Sequence, residues 1–118
     1  MEILINGLPK SDNHCYGFTR QGIKYLVKEA KDFKEAVATL CSLINDTEGL
    51  FNEQLEVDIT YYFKRDRDVL GSDKILMDSM QGILFKNDSQ IIDAHLHKHR
   101  DKENPRVEVI ISKAQRTY

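Results

Sequence analysis

The run "LEVDITYYF" at residues 55–63 alternates without a break: Leu55, Val57, Ile59, Tyr61 and Phe63 fall on one side, Glu56, Asp58, Thr60 and Tyr62 on the other. An unbroken period of two predicts a strand with one buried and one polar face. Such a face needs a partner layer, and the stretch from about Lys28 to Ile44 supplies one. Ala30, Phe33, Val37, Leu40 and Ile44 recur at intervals of three and four, with Lys31, Lys34 and Glu35 on the opposite side. This is an amphipathic helix whose apolar stripe packs against a sheet, and "NDTEG" ends it.

The remaining segments arrange themselves around this pair. "EILINGL" reads as a short strand stopped by Gly7 and Pro9, "PKSDNHCYGFTRQG" as a polar loop, and "IKYLV" as a second short strand. Ser72 stands where a hydroxyl would cap a second helix. Ile75, Leu76, Met80 and Ile83 form its buried side and Gly82 its end. "SQIIDAHLHKH" alternates again, with Ile92, Ala94 and Leu96 inward and Asp93, His95 and His97 outward. After the turn "DKENP", "RVEVIIS" is the last strand, and the two strands are expected to form a hairpin. The order predicts an α+β fold, a small mixed β-sheet with two packed helices. At 118 residues, without repeats or a linker, residues 1–118 are expected to form one domain.

Several function classes are set aside by composition. No apolar run approaches the ~20 residues that span a bilayer, and the first ten residues lack the basic and cleavage-like features of a signal peptide. Cys15 and Cys41 have no CxxC spacing, which argues against a thiolate zinc site and for reduced thiols in the cytoplasm. A formal net charge of −2 is not that of a uniformly basic nucleic-acid binder. The cations nevertheless cluster, at Lys24, Lys28, Lys31 and Lys34, at Lys64, Arg65 and Arg67, and from Lys98 to Lys102.

The acids gather directly after the long strand. Asp66, Asp68, Asp73, Asp78, Asp88 and Asp93 lie within "RDRDVLGSDKILMDSMQGILFKNDSQIID". Hard cations such as Mg²⁺ take oxygen ligands, usually one or two carboxylates with water and substrate phosphate. A strand end carrying Asp68 and a post-helix turn carrying Asp88 could converge on such an ion, which activates water and offsets charge on a scissile phosphate. Lys74 and Asp78 are four apart and share a helix face. Each piece also has a plain reading. Asp66 and Asp68 interleave with Arg65 and Arg67 as in a solvated turn, Asp73 suits a first helical turn by the helix dipole, and Lys74 with Asp78 is an ordinary surface pair. His95, His97 and His99 share a strand face and could meet a transition metal, or simply form a hydrated edge. His97, Lys98 and Arg100 suit contacts to a DNA backbone.

Three motifs settle the weight. "D-V-L-G-S-D-K-I-L-M-D-S-M" follows the pattern Asp-x-Asp-(Asn/Gly), a Lys a few residues on, then Asp-x-(Leu/Met). "F-K-N-D-S-Q-I" follows Asp-Asp-x-Gln-(Ile/Val), and "LPKSDNHCY" follows a Pro-x-Ser-x-Asn-(His/Arg)-x-Tyr loop. With these in register the chain resembles the RusA-type Holliday-junction resolvases over nearly its whole length. The resemblance implies a homodimeric endodeoxyribonuclease of bacterial, phage or prophage context, acting on four-way DNA junctions with Mg²⁺ or Mn²⁺. It carries Asp68 and Asp88 over as metal ligands and, with Lys74, as the catalytic set. Asp78 becomes a supporting group that orients Lys74. Asn13, His14, Lys28, Arg67, His97, Lys98 and Arg100 are the expected DNA contacts.

Two positions depart from the pattern. Asn87 replaces the first residue of the Asp-Asp pair, and Leu70 stands where the family has a second catalytic aspartate. Three consequences are open: Asp66 or Asp73 substitutes, the site binds metal weakly and cuts slowly, or the protein binds junctions without cutting them.

Overall fold

The computed structural model of the chain describes residues 1–11, 14–44 and 52–118. The expected end of the first helix at "NDTEG" and the side chain of Asn13 lie outside them. The elements run β1 (Glu2–Asn6), β2 (Tyr16–Phe18), β3 (Lys24–Leu26), α1 (Lys28–Ile44), β4 (Leu55–Phe63), α2 (Asp73–Met80), β5 (Ile91–Arg100) and β6 (Arg106–Lys113), with a 3-10 turn at Asp88–Gln90. The α+β class and the two-helix, mixed-sheet architecture are as the sequence predicts.

The alternating strand β4 is central in the four-stranded sheet, whose order is β1-β6-β4-β5. Its residues alternate strictly between buried and half-buried. Leu55, Val57, Ile59, Tyr61 and Phe63 sit in the core with Val107, Val109 and Ile111 of β6 and Ile3 and Ile5 of β1. Tyr61 and Phe63 stack at 5.5 Å between ring centroids. From α1 the core receives Val37 and Cys41, and from α2 Leu76 and Met80, both fully buried. Burying a side chain of this size stabilises the fold by about 1.5–3 kcal/mol, so the helix stripes hold the layer in place. Burial pushes the Cys41 thiol up to about 11, and both cysteines are free, as expected.

The predicted hairpin of β5 and β6 does not form. β5 pairs with β4 in parallel, and β6 pairs antiparallel on the other side of β4. The five-residue connection therefore crosses the end of β4 instead of folding β6 back on β5. Asp101 donates its amide to the Phe63 carbonyl at 2.9 Å. Its carboxylate accepts the amides of Glu103 and Asn104 and the Arg106 guanidinium. Arg106 in turn lies 3.7 Å over the Tyr62 ring. The physical reason for the order is burial: β4 is apolar along one whole face and takes neighbours on both sides. β5 is half-exposed or exposed throughout, with Ala94 exposed rather than inward, and suits an edge.

The loop read between β1 and β3 hides a three-residue strand, β2, which pairs with β3 as a separate ribbon. Beneath it Cys15, Ala30 and Ile75 form a second small core with Leu26, Val27 and Phe33. That core pins the end of the N-terminal loop against both helices. No described helix is long and apolar enough to cross a membrane.

Candidate active site

Residues 64–72, between β4 and α2, are held from both sides. Arg67 turns inward: its guanidinium donates to the Pro9 carbonyl at 3.0 Å and to the Ser72 hydroxyl at 2.6 Å, and lies 4.9 Å from the Phe63 ring centroid. Ser72 occupies the cap position of α2, as expected, but its hydroxyl makes no capping hydrogen bond and instead accepts from Arg67. From β5, the Lys98 ammonium donates to the Asp66 carboxylate and the Arg67 carbonyl, both at 2.9 Å. The Lys98 hydrogen bond, with its charge, holds the Asp66 carboxyl below the usual range. At Gly71 the backbone has φ +113°, a region that favours glycine, and its amide donates to the Asp73 carboxylate at 3.2 Å.

Asp68 is what this clamp presents. It is exposed and lines a cleft of about 500 Å³ with Lys10, Ser11, His14, Arg67, Leu70 and Gly71. The opposite wall is the N-terminal loop. Cys15 anchors it, donating to the Ser11 carbonyl at 3.3 Å. Ser11 Oγ and His14 Nδ1 share a hydrogen bond of 2.6 Å, which leaves Nε2 as the ring atom that can meet a ligand. Leu70 is 68% exposed within the same cleft. An apolar side chain therefore stands at the mouth, in solvent, where the family pattern has a carboxylate.

The other predicted residues are placed as follows. Lys74 and Asp78 form the expected i, i+4 pair on α2, at 3.8 Å. Asp88 opens the 3-10 turn, exposed, and its amide donates to Gln81 Oε1 at 3.1 Å. Asn87 caps that turn by accepting the Ser89 amide at 3.0 Å, and Gln90 Oε1 accepts the amides of Lys86 and Asn87. Gln90 Nε2 also donates to the Glu53 carbonyl at 2.8 Å. The motif glutamine thus shapes the turn that carries Asp88. Neither Asp88 nor Lys74 lines the Asp68 cleft, and among the described residues no three of His, Cys, Asp and Glu are grouped so as to hold a metal.

The expected DNA contacts divide in the same way. His14 lines the cleft, Lys28 pairs with Asp32 on α1 at 3.2 Å, and Arg67 and Lys98 are the two sides of the clamp. His97 lies 3.3 Å from Asp58 and His95 3.1 Å from Glu56, while His99 stacks on Tyr62. Arg100 projects beside Lys64, Arg65 and Lys102. Lys10 and Ser11 line this cleft without being among the residues that the sequence predicts for the site; the signal that points to them is their place just before His14 in the N-terminal loop.

A hard divalent cation fits this donor set only as a shared ligand. Asp68 supplies one carboxylate in an open, oxygen-bearing cleft, and such ions complete their shell with water and phosphate. No curated protein matches the chain. A family model described as endodeoxyribonuclease RusA matches residues 7–112, from the loop that walls the cleft to the end of the last strand. The chain therefore belongs to the RusA endodeoxyribonuclease family.

Proposed function

We propose that this chain is a divalent-metal-dependent endodeoxyribonuclease that resolves four-way DNA junctions by nicking two symmetric strands as a homodimer. The observation that carries the reading is Asp68, an exposed carboxylate presented at a cleft with further cationic groups by a loop that the Arg67 guanidinium and the Lys98 ammonium fix in place. Mg²⁺ or Mn²⁺ would lower the pKa of bound water and offset charge on the scissile phosphate. Asp68 would hold that ion, with the DNA phosphate completing its shell and Asp88 approaching from the 3-10 turn. Lys10 and His14 would hold the phosphate against the opposite wall. Lys74, oriented by Asp78, would steady developing charge on the substrate. A two-fold protein matches the two-fold symmetry of a junction.

A second reading is favoured by Leu70. With an exposed leucine in the cleft and a single lining carboxylate, the chain would bind junctions and cut them slowly or not at all. Nicking of a labelled synthetic junction in Mg²⁺ or Mn²⁺, beside gel-shift in EDTA, separates the two. Symmetric nicks in opposite strands support the nuclease. Binding without nicks supports the second reading, and a failure to bind junctions removes both.

A further inference from the structure

Lys64 and Arg65 leave the end of β4, and Arg100 and Lys102 leave the end of its parallel neighbour β5, because Arg100 pairs in register with Phe63. The four cations line one cleft of about 330 Å³, and no acid lines it. All four are exposed, and among the described residues none has a carboxylate within ion-pair distance. Lys28, Lys74, Lys98, Arg106, Lys113 and Arg116 each have an acidic partner. Other cations, Lys31 and Lys34 among them, have none within ion-pair distance among the described residues either, so what sets Lys64, Arg65, Arg100 and Lys102 apart is that all four gather at one opening that no acid lines. Asp66, on the same loop, is hydrogen-bonded to Lys98 and also feels the Arg100 charge from beyond ion-pair distance.

Gathering four like charges around one opening with no carboxylate in ion-pair contact is unfavourable in the free protein, and an anion on this cleft removes the repulsion. The basic cleft and Asp68 belong to one loop. From Arg65 to Asp68 is three residues, at most ~10 Å of extended chain. A DNA strand carries one phosphate per ~3.4 Å of helix axis, so, with the reach of the side chains added to that backbone spacing, the two sites can engage one strand only a few phosphates apart. Clamping by Lys98 and Arg67 fixes that spacing.

We propose that Lys64, Arg65, Arg100 and Lys102 form a seat for the DNA sugar–phosphate backbone, a few phosphates from the strand position engaged by Asp68. The inference rests on the endonuclease reading and adds a positioning contact to it. These residues touch phosphate, not base edges, so they set register and affinity without sequence preference.

The test is the salt dependence of junction binding in EDTA, by fluorescence anisotropy, for Arg100→Gln/Lys102→Gln and for Lys31→Gln/Lys34→Gln. The second pair removes the same charge from the exposed side of α1. Each lost phosphate contact lowers the slope of log affinity against log salt by ~0.9, so the cleft variant should lose ~1.8 and the α1 variant almost nothing. Between 50 and 200 mM salt the cleft variant's affinity should then fall roughly tenfold less than wild type's. The charge-keeping swap Arg100→Lys/Lys102→Arg should restore the slope. If wild type binds the junction and the two Gln pairs lower the slope equally, or neither does, the backbone seat is wrong and the nuclease reading stands. If wild type binds no DNA, the nuclease reading fails and the seat with it.

Discussion

Replacing Leu70 by aspartate asks whether the cleft that Asp68 lines is where a divalent ion sits. The leucine is 68% exposed, so the change removes little burial and should leave folding stability within about 0.5 kcal/mol of wild type. What it adds is charge. Two unit charges 4 Å apart interact by about 1 kcal/mol in bulk water and about 4 kcal/mol at an effective dielectric near 20. A dication doubles both. Because the position faces solvent the lower end applies, giving about 2 kcal/mol, or roughly 30-fold tighter binding of the ion. The assay is a Mn²⁺ titration without DNA, followed by single-turnover nicking across a Mg²⁺ series. Leu70→Asp should bind Mn²⁺ measurably in the absence of DNA and reach half-maximal nicking at roughly 30-fold less Mg²⁺. Leu70→Asn, of the same size and without charge, should resemble wild type. Equal effects of Asp and Asn, or none from either, would show that the ion does not sit beside residue 70. Asp66 and Asp73 are poor stand-ins for the missing group, since one is bound to Lys98 and the other accepts the Gly71 amide.

Other outcomes follow from the same geometry. Asp68→Asn should abolish nicking while leaving the thermal midpoint unchanged, because the carboxylate is exposed and supports no contact in the fold. Arg67→Ala should lower stability by about 2 kcal/mol in urea denaturation, by leaving the Ser72 hydroxyl and the Pro9 carbonyl without their charged donor. Arg67→Lys should recover only part of that loss, since an ammonium cannot reproduce the planar fork. The carboxyls of Asp66, Asp93 and Asp101 are held below their usual range, chiefly by hydrogen bonds from Lys98, Arg116 and Arg106. A depressed folded-state pKa gives stability that is present above the unfolded value near 3.9 and is lost as pH falls through the folded one. The urea midpoint should therefore hold from pH 7 to 5 and drop below about pH 4, with Asp101→Asn showing a shallower drop. Cys41, fully buried with its thiol pushed up to about 11, should resist a thiol reagent in the native protein and react once unfolded.

The elements whose evidence is local were legible from the sequence. The alternation of 55–63 and the stripe of 28–44 appear as β4 and α1, because period decides which face is apolar, although Ile44, the last residue of the expected stripe, is exposed. The second helix stops earlier than its pattern predicts: α2 ends at Met80 with an extended Gln81 as its cap, Gly82 follows at a φ of +86° with its amide on the Phe85 carbonyl, and Ile83, expected on the buried side of the helix, lies beyond it. The position of Asp68 could be read from motif register. What it neighbours could not, because that depends on contacts between segments distant along the chain. Only the fold decided that β6 lies between β1 and β4 and that β5 takes the outer edge, since strand order follows which surfaces bury most and not which strands are adjacent in sequence. It also decided that Arg67, one of three cations in a basic run, turns inward to fix the loop while Lys64 and Arg65 stay outside with Arg100 and Lys102. Charge type is written in the sequence; whether a charge meets a partner or stands free is set by the directions in which packed strands project it.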